Sequence, residues 1–222
     1  MLRVTAVAVL MCFTQIASAA VQTLGFDNLA ASFATVPTGY GAFDDGVNHF
    51  AGFDWSHGPI AVADQNDLAL NPFAVGFQHG VTSPDNVAFN YGGAGTVSVN
   101  ALSGTFTFLG ANFTAWFDLA TFGMPGGVQT LSLEGWRGSS RLFQDTVILT
   151  SNAPNSVNEN WNDIDRLVLT TMVTFDNQPR TPLQWMMDDF RYSVVPEANA
   201  TLQLGAGLLM LAALSLRRRI LR

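Results

Sequence analysis

Turn-forming pairs break this chain at short intervals, and the stretches between them alternate at period two. The breaks are Pro37-Thr38-Gly39, Asp45-Gly46, Asn71-Pro72, Ser83-Pro84-Asp85-Asn86, Gly92-Gly93, Pro125-Gly126-Gly127 and Asn152-Ala153-Pro154-Asn155. Glycine supplies positive φ, proline presets its own φ, and Asn and Asp bond their own backbone, so each cluster reverses the chain for a stated reason. Between them, Thr105-Phe106-Thr107-Phe108, Thr130-Leu131-Ser132-Leu133 and Asp145-Thr146-Val147-Ile148-Leu149 alternate polar with apolar. Leu167, Leu169, Thr171, Val173 and Phe175 share one face of an extended run. Short alternating strands separated by turns, with no sustained helical period, predict an all-β sandwich or jelly roll. The acidic stretch Asn158–Asp165 resembles a calcium loop at first sight, but it lacks the glycine at the sixth position and the glutamate at the twelfth. It is expected to be a turn leading into a strand over Ile164–Phe175.

Charge excludes one class of partner. The chain has 222 residues and a formal net charge of −7, and every one of its ten basic residues is Arg. Four of these lie in the last six residues and one is Arg3, so residues 21–197 carry five Arg against all seventeen acidic residues, a net of −12. Such a body repels phosphate backbones, and no nucleic-acid partner is expected. With 17 Phe and only 12% charged residues the chain is not a disordered tail. Its single cysteine, Cys12, lies in a segment expected to be removed, which leaves no disulfide and no thiolate chemistry.

That segment is residues 1–20. Arg3 precedes an apolar run from Val4 to Phe13, and Ala17-Ser18-Ala19 forms a small-residue cleavage site before Ala20. This is the layout of a secretory signal peptide, which implies the Sec translocon and signal peptidase as partners. Residues 21–193 follow as a single sandwich ectodomain, long enough to bury roughly 70% of its unfolded surface. No linker or internal repeat divides them.

The last segment, 194–222, has three parts: Val195-Pro196-Glu197-Ala198, an apolar run over 201–216, and a basic end at 217–222 led by Arg217, Arg218 and Arg219. A sixteen-residue helix rises about 24 Å, short of a hydrocarbon core of about 30 Å. Snorkelling arginines and local thinning cover the difference. The positive-inside rule keeps the arginines cytoplasmic while the acidic body is exported. The tail resembles the PEP-CTERM sorting signal of Gram-negative bacteria, with Pro196 and Glu197 in the motif's first two positions and Ala198 where a second proline would stand. The resemblance implies an exosortase, a membrane-embedded transpeptidase-like enzyme, as partner. It also implies a precursor anchored in the inner membrane and delivery to the cell surface or an exopolysaccharide matrix. L-P-x-T-G, which a Gram-positive sortase would need, is absent, and a GPI signal normally lacks a terminal basic cluster.

The body resembles bacterial PEP-CTERM ectodomains and related extracellular jelly-roll modules. The resemblance rests on Gly25–Leu29, Pro37–Phe43, Phe53-Asp54-Trp55, Thr130–Trp136 and Trp185–Tyr192 in that order, the last like the closing strand of carbohydrate-binding sandwiches. Sandwiches of this kind often hold a structural Ca²⁺ where the first and last strands meet, which implies Asp27 with Asp188 or Asp189. Adjacent strand residues face opposite ways, so only one of that pair is expected at such a site; the competing expectation is a turn cap and a solvated pair.

Sugars stack on aromatic rings and engage side-chain amides and carboxylates. Trp55, Trp136, Trp161 and Tyr40 are the candidates for such contacts, each weighed against ordinary core packing. Trp116, in Phe113-Thr114-Ala115-Trp116-Phe117, reads as core. Enzyme signatures are wanting: His49, His57 and His79 sit apart in glycine-rich stretches expected to be turns, and no G-x-S-x-G elbow occurs. A glycosidase needs two carboxylates of separated pKa, which sequence alone does not single out. The chain is therefore expected to be a non-enzymatic, structural or adhesive protein of the surface or biofilm matrix, in contact with exopolysaccharide. A carbohydrate-binding module is the alternative, and a glycan hydrolase a weaker one.

Overall fold

The four alternating runs of the sequence lie in strands of ten residues each: β8 (Phe106–Ala115), β9 (Val128–Arg137), β10 (Ser140–Leu149) and β12 (Arg166–Phe175). The computed structural model describes residues 20–29, 40–42, 49–57, 60–64 and 75–194, and side chains for most of these. Within it the chain is all-β, with 64% of residues in strands and 6% in helices. The leader, the Val195–Ala198 motif, the apolar run 201–216 and the arginine cluster lie outside the described residues. Among the described residues no helix is long and apolar enough to cross a membrane.

Two antiparallel sheets of seven strands face each other. Sheet I has the order β11 (Asn155–Ile164), β8, β14 (Trp185–Val194), β6 (Asn86–Asn90), β5 (Ile60–Asp64), β2 (Tyr40–Ala42), with β1 (Val21–Leu24) also alongside β14. Sheet II has the order β10, β9, β12, β7 (Thr96–Ala101), β4 (Phe53–His57), β3 (His49–Phe50), with β13 (Gln178–Arg180) alongside β12. Four of the pairings, β6 with β14, β7 with β12, β8 with β11 and β9 with β10, are those of one long antiparallel ribbon bent at the β9–β10 turn. Rolling that ribbon sets β14 against β8 and β12 against β9.

Local chemistry fixes the turns. Asp176 and Asn177, both at positive φ (52° and 58°), make the two-residue loop between β12 and β13, as a type I′ hairpin requires. Gly138, at φ 56°, serves between β9 and β10. The expected turn over Asn158–Asp165 is instead mostly strand. β11 runs from Asn155 to Ile164, and Asp165 alone connects it to β12. Register shifts in β11, with Asp163 at φ 62°, break the alternation that would have marked it as a strand. The histidines are likewise not in turns: His49 is in β3, His57 in β4, and His79 in the short helix α1 (Val75–Gly80).

Aromatic side chains fill the space between the sheets. Phe53 of sheet II meets Phe106, Phe190 and Tyr192 of sheet I edge-on, at centroid distances of 4.9, 5.6 and 4.8 Å. Such edge-to-face contacts add to the area that each ring buries. Leu167, Leu169, Thr171 and Val173 are buried in sequence along β12, the face that their spacing predicts, with Phe175 half-buried at its end.

The outer faces of the two sheets differ. Ala61, Ala63, Val87, Phe89, Trp116 and Met186 form a second apolar cluster, separate from the one between the sheets. Their strand neighbours Ile60, Val62, Ala88, Trp185 and Met187 belong to the main cluster, so β5, β6 and the start of β14 are buried on both sides. Helix α1 packs nearby, with the Gly76 N–H donating to the Trp116 carbonyl and Gly80 close to Met186 and Thr114. Sheet II keeps its inner residues buried and its outer ones half-buried or exposed, as an antiparallel sheet with one wet face does.

Candidate functional site

Asp188 and Asp189 reach the same place, against expectation. Asp189 sits at φ 49° and the β14 ladder shifts register between Asp188 and Arg191, a bulge that cancels the alternation of faces. The Thr82 hydroxyl lies 3.0 Å from Asp188 Oδ2 and 2.8 Å from Asp189 Oδ2, and it accepts from Asn112 Nδ2 at 3.0 Å. Asp188 is fully buried and takes donors on both oxygens: the N–H groups of Thr82 (2.6 Å), Ser83 (2.8 Å) and Asp189 (2.7 Å), and the hydroxyls of Thr82 and Ser83. Burial pushes its carboxyl above the usual carboxylate range, while the hydrogen bonds from Ser83, Thr82 and Asp189 pull the other way.

Asp27 stands beside this clasp. Its Oδ1 accepts from the N–H groups of Asp85 and Asn86 at 3.0 and 3.1 Å, while Asn86 Nδ2 donates back to the carbonyls of Phe26 and Asp27. The Ser83 hydroxyl lies 3.1 Å from the Gly25 carbonyl and 2.9 Å from Asp188 Oδ1, so it links the two carboxylate groups' neighbourhoods. The arrangement ties three pieces together: the segment after β1, the loop into β6, and the last strand. Asp188 thus has N–H and O–H donors on both of its oxygens. Among the described residues, no group of three or more His, Cys, Asp or Glu side chains is placed to hold a metal. Of Thr82, Ser83 and Asn112, the sequence marks only Ser83, as the first residue of a turn cluster.

The tryptophan candidates separate. Trp55 is buried among Phe26, Phe53 and Phe190, and its indole N–H donates to the Phe50 carbonyl at 3.0 Å. Trp161 is buried too, stacked on Phe143 at 5.6 Å with the rings 8° apart. Neither presents a face to a ligand, because β4 and the shifted register of β11 turn both rings inward. Trp116 is buried as expected, in the second cluster. Tyr40 pairs with Ala63 at the edge of sheet I, and its side chain falls outside the description. Of the five tryptophans only Trp136 stays outside the buried class.

Trp136 lies on the open face of sheet II in a row of directly paired residues. Arg141 of β10 and Arg166 of β12 pair with it on either side, Arg166 pairs with Asn100 of β7, Asn100 with Asp54 of β4, and Asp54 with His49 of β3. Its indole N–H donates to Glu134 Oε2 at 3.0 Å, and Arg141 donates to Glu134 Oε1 at 2.6 Å. The Arg166 guanidinium sits 5.2 Å above the ring centroid. Beyond lie a row of hydroxyls, Thr146, Ser132, Thr170 and Thr96, and then Ile148, Thr130 and Met172. The face thus grades from charged and aromatic, through hydroxyl, to apolar. Ser132, Glu134 and Trp136 share one face of β9 at period two; the pairing that adds Arg166, Asn100 and Asp54 is long-range.

One further acidic pair bridges the sheets. Glu159 of β11 lies by Asp145 of β10, and its carboxyl is pushed up by burial and by the Asp145 charge. The pair joins the edge strands of sheets I and II. Comparison of the chain with protein-family models, with curated proteins and with solved structures finds no match in any of the three.

Proposed function

We propose that this is an exported surface or matrix protein with a structural or adhesive role, whose ectodomain is a jelly roll carried on a PEP-CTERM-like sorting tail. The rolled-ribbon pairing of β6–β14, β7–β12, β8–β11 and β9–β10 supports the jelly-roll reading. One observation carries the display role: Val21 pairs with Ser193, so both ends of the sandwich emerge at the same end of β14. A module whose termini leave together is suited to being carried from one end on a tail. β14 is described to Val194, the residue before the Val195–Ala198 motif in the sequence.

On this reading the Arg217–Arg219 cluster orients the helix, and the exosortase acts at Pro196-Glu197 on the outer side of the inner membrane. Comparison of precursor and mature masses in membrane and external fractions of an exosortase-encoding host tests it. Replacing Pro196 and Glu197 with Ala should leave full-length protein in the inner membrane. Replacing Arg217, Arg218 and Arg219 with Ser should release precursor into the periplasm. Wild-type protein resident at full length in the inner membrane would reduce the tail to an ordinary anchor.

A further inference from the structure

We infer that the register row Arg141–Trp136–Arg166–Asn100–Asp54 on the open face of sheet II is a binding strip for a neutral polysaccharide chain. The inference deepens the matrix reading above, because it names what the displayed module would hold. With strands about 4.8 Å apart, the row crosses five strands over roughly 19 Å, the dimension of an extended oligosaccharide rather than of a single small molecule.

The chemistry of the row fits a polyhydroxylated chain. A guanidinium covers only one face of a ring, and Trp136 remains part-exposed, so the indole keeps surface on which sugar C–H groups can stack. The ring is held in place before any ligand arrives, by Glu134 at the indole N–H and Arg166 above it. Holding a platform rigid in advance lowers the ordering cost of binding. Around it Arg141 and Arg166 donate, Glu134 and Asp54 accept, and Asn100 does both, which matches hydroxyls that donate and accept in turn.

Charge decides between neutral and anionic chains. The two arginines of the strip are balanced by Asp54 in the same row and Glu134 in the next; Glu134 pairs with Arg141, and Asp54 lies 3.3 Å from His57 Nδ1. The body around the strip carries a net of −12 over residues 21–197. A polyuronate would meet overall repulsion with no net positive patch to offset it, whereas a neutral chain meets none. The outer face of sheet I is covered by the second apolar cluster through β5, β6 and the start of β14.

Native affinity electrophoresis of the full-length protein in mild detergent tests this, with a soluble mixed-linkage β-glucan, a galactomannan and an alginate-type polyuronate in parallel gels. Retardation by at least one neutral polymer and none by the polyuronate is expected. Trp136→Ala should weaken it about tenfold or more, and Asn100→Ala should weaken it several-fold. Met172→Ala, at the apolar end of the same face, should leave it unchanged. Thermal melts of each variant show whether it is folded; if Trp136→Ala melts early, Asn100→Ala carries the test. No retardation by either neutral polymer, retardation by the polyuronate alone, or wild-type binding by a folded Trp136→Ala would overturn the inference. Because purified protein is used, these outcomes are separate from any failure of tail processing.

Discussion

Sheet I is buried on both faces through β5, β6 and the start of β14, whereas sheet II keeps one face wet across its six-strand path. The same pairing geometry therefore serves two purposes. In sheet I the outer residues, Ala61, Val87, Phe89 and Met186, extend the core, and Asp188 closes it by clasping the Thr82–Ser83 loop. In sheet II the outer residues face solvent and are free to specialise. A sandwich that needs both a firm body and a recognition surface divides these roles between its two outer faces.

The largest expected effect breaks or confirms that division directly. Phe89→Ala, in the outer cluster of sheet I, should cost about 3–5 kcal/mol by loss of a buried ring. Met172→Ala, on the outer face of sheet II, should stay within about 0.5 kcal/mol. Denaturant unfolding of the two variants side by side measures the difference, and equal losses would erase the distinction between the faces. Next in size is Asp188→Asn, expected to cost about 2–3 kcal/mol. One amide hydrogen-bonding edge would then point N–H groups at the N–H groups of Thr82 and Ser83. Asp189→Asn should cost less, because Asp189 Oδ2 meets only the Thr82 hydroxyl and the Asn112 amide.

Two acidic groups of sheet I make stability depend on pH. Asp188 and Glu159 both have folded carboxyl pKa values raised from ordinary values of 3.8 and 4.5, so the folded state holds their protons more tightly than the unfolded one. Their contribution to stability is full below those ordinary values and is lost as pH rises through the higher folded values. Glu159→Gln removes one share, so its melting temperature should fall less than that of the wild type from about pH 4.5 towards neutrality. A variant slope as steep as the wild type's would remove Glu159 from the account. The smallest expected effect concerns calcium. With Asp188 saturated by N–H and O–H donors, melts in millimolar calcium and in chelator should coincide; a calcium-dependent rise would restore Asp27, Asp188 and Asp189 as ligands.

The comparison also explains what the sequence showed. Strands of sheet II, wet on one side, announce themselves by alternation, as Thr130–Leu133 and Leu167–Val173 do. The strands of sheet I that are dry on both sides, β5 and β6, carry continuous apolar runs such as Ile60-Ala61-Val62-Ala63, which periodicity does not assign. Bulges hid more. Asp163 and Asp189, both at positive φ, shift the faces of β11 and β14, so Asn158–Asp165 read as a turn and Asp188-Asp189 as a divided pair. Of the candidate site, Trp136 was legible as a candidate for sugar contact; Glu134, two residues before it in β9, was not singled out. Arg166, Asn100 and Asp54 join them only through pairing across the sheet, which no local pattern encodes.

Hydroxyl-radical footprinting of the full-length protein, read by mass spectrometry, tests the division of faces most directly. Trp136 and Met172 should oxidise quickly, and Trp55, Trp161, Met186 and Met187 should be protected, in line with their burial. Oxidation of Met186 or Trp161 as fast as that of Met172, or protection of Trp136 in the absence of any glycan, would contradict the account.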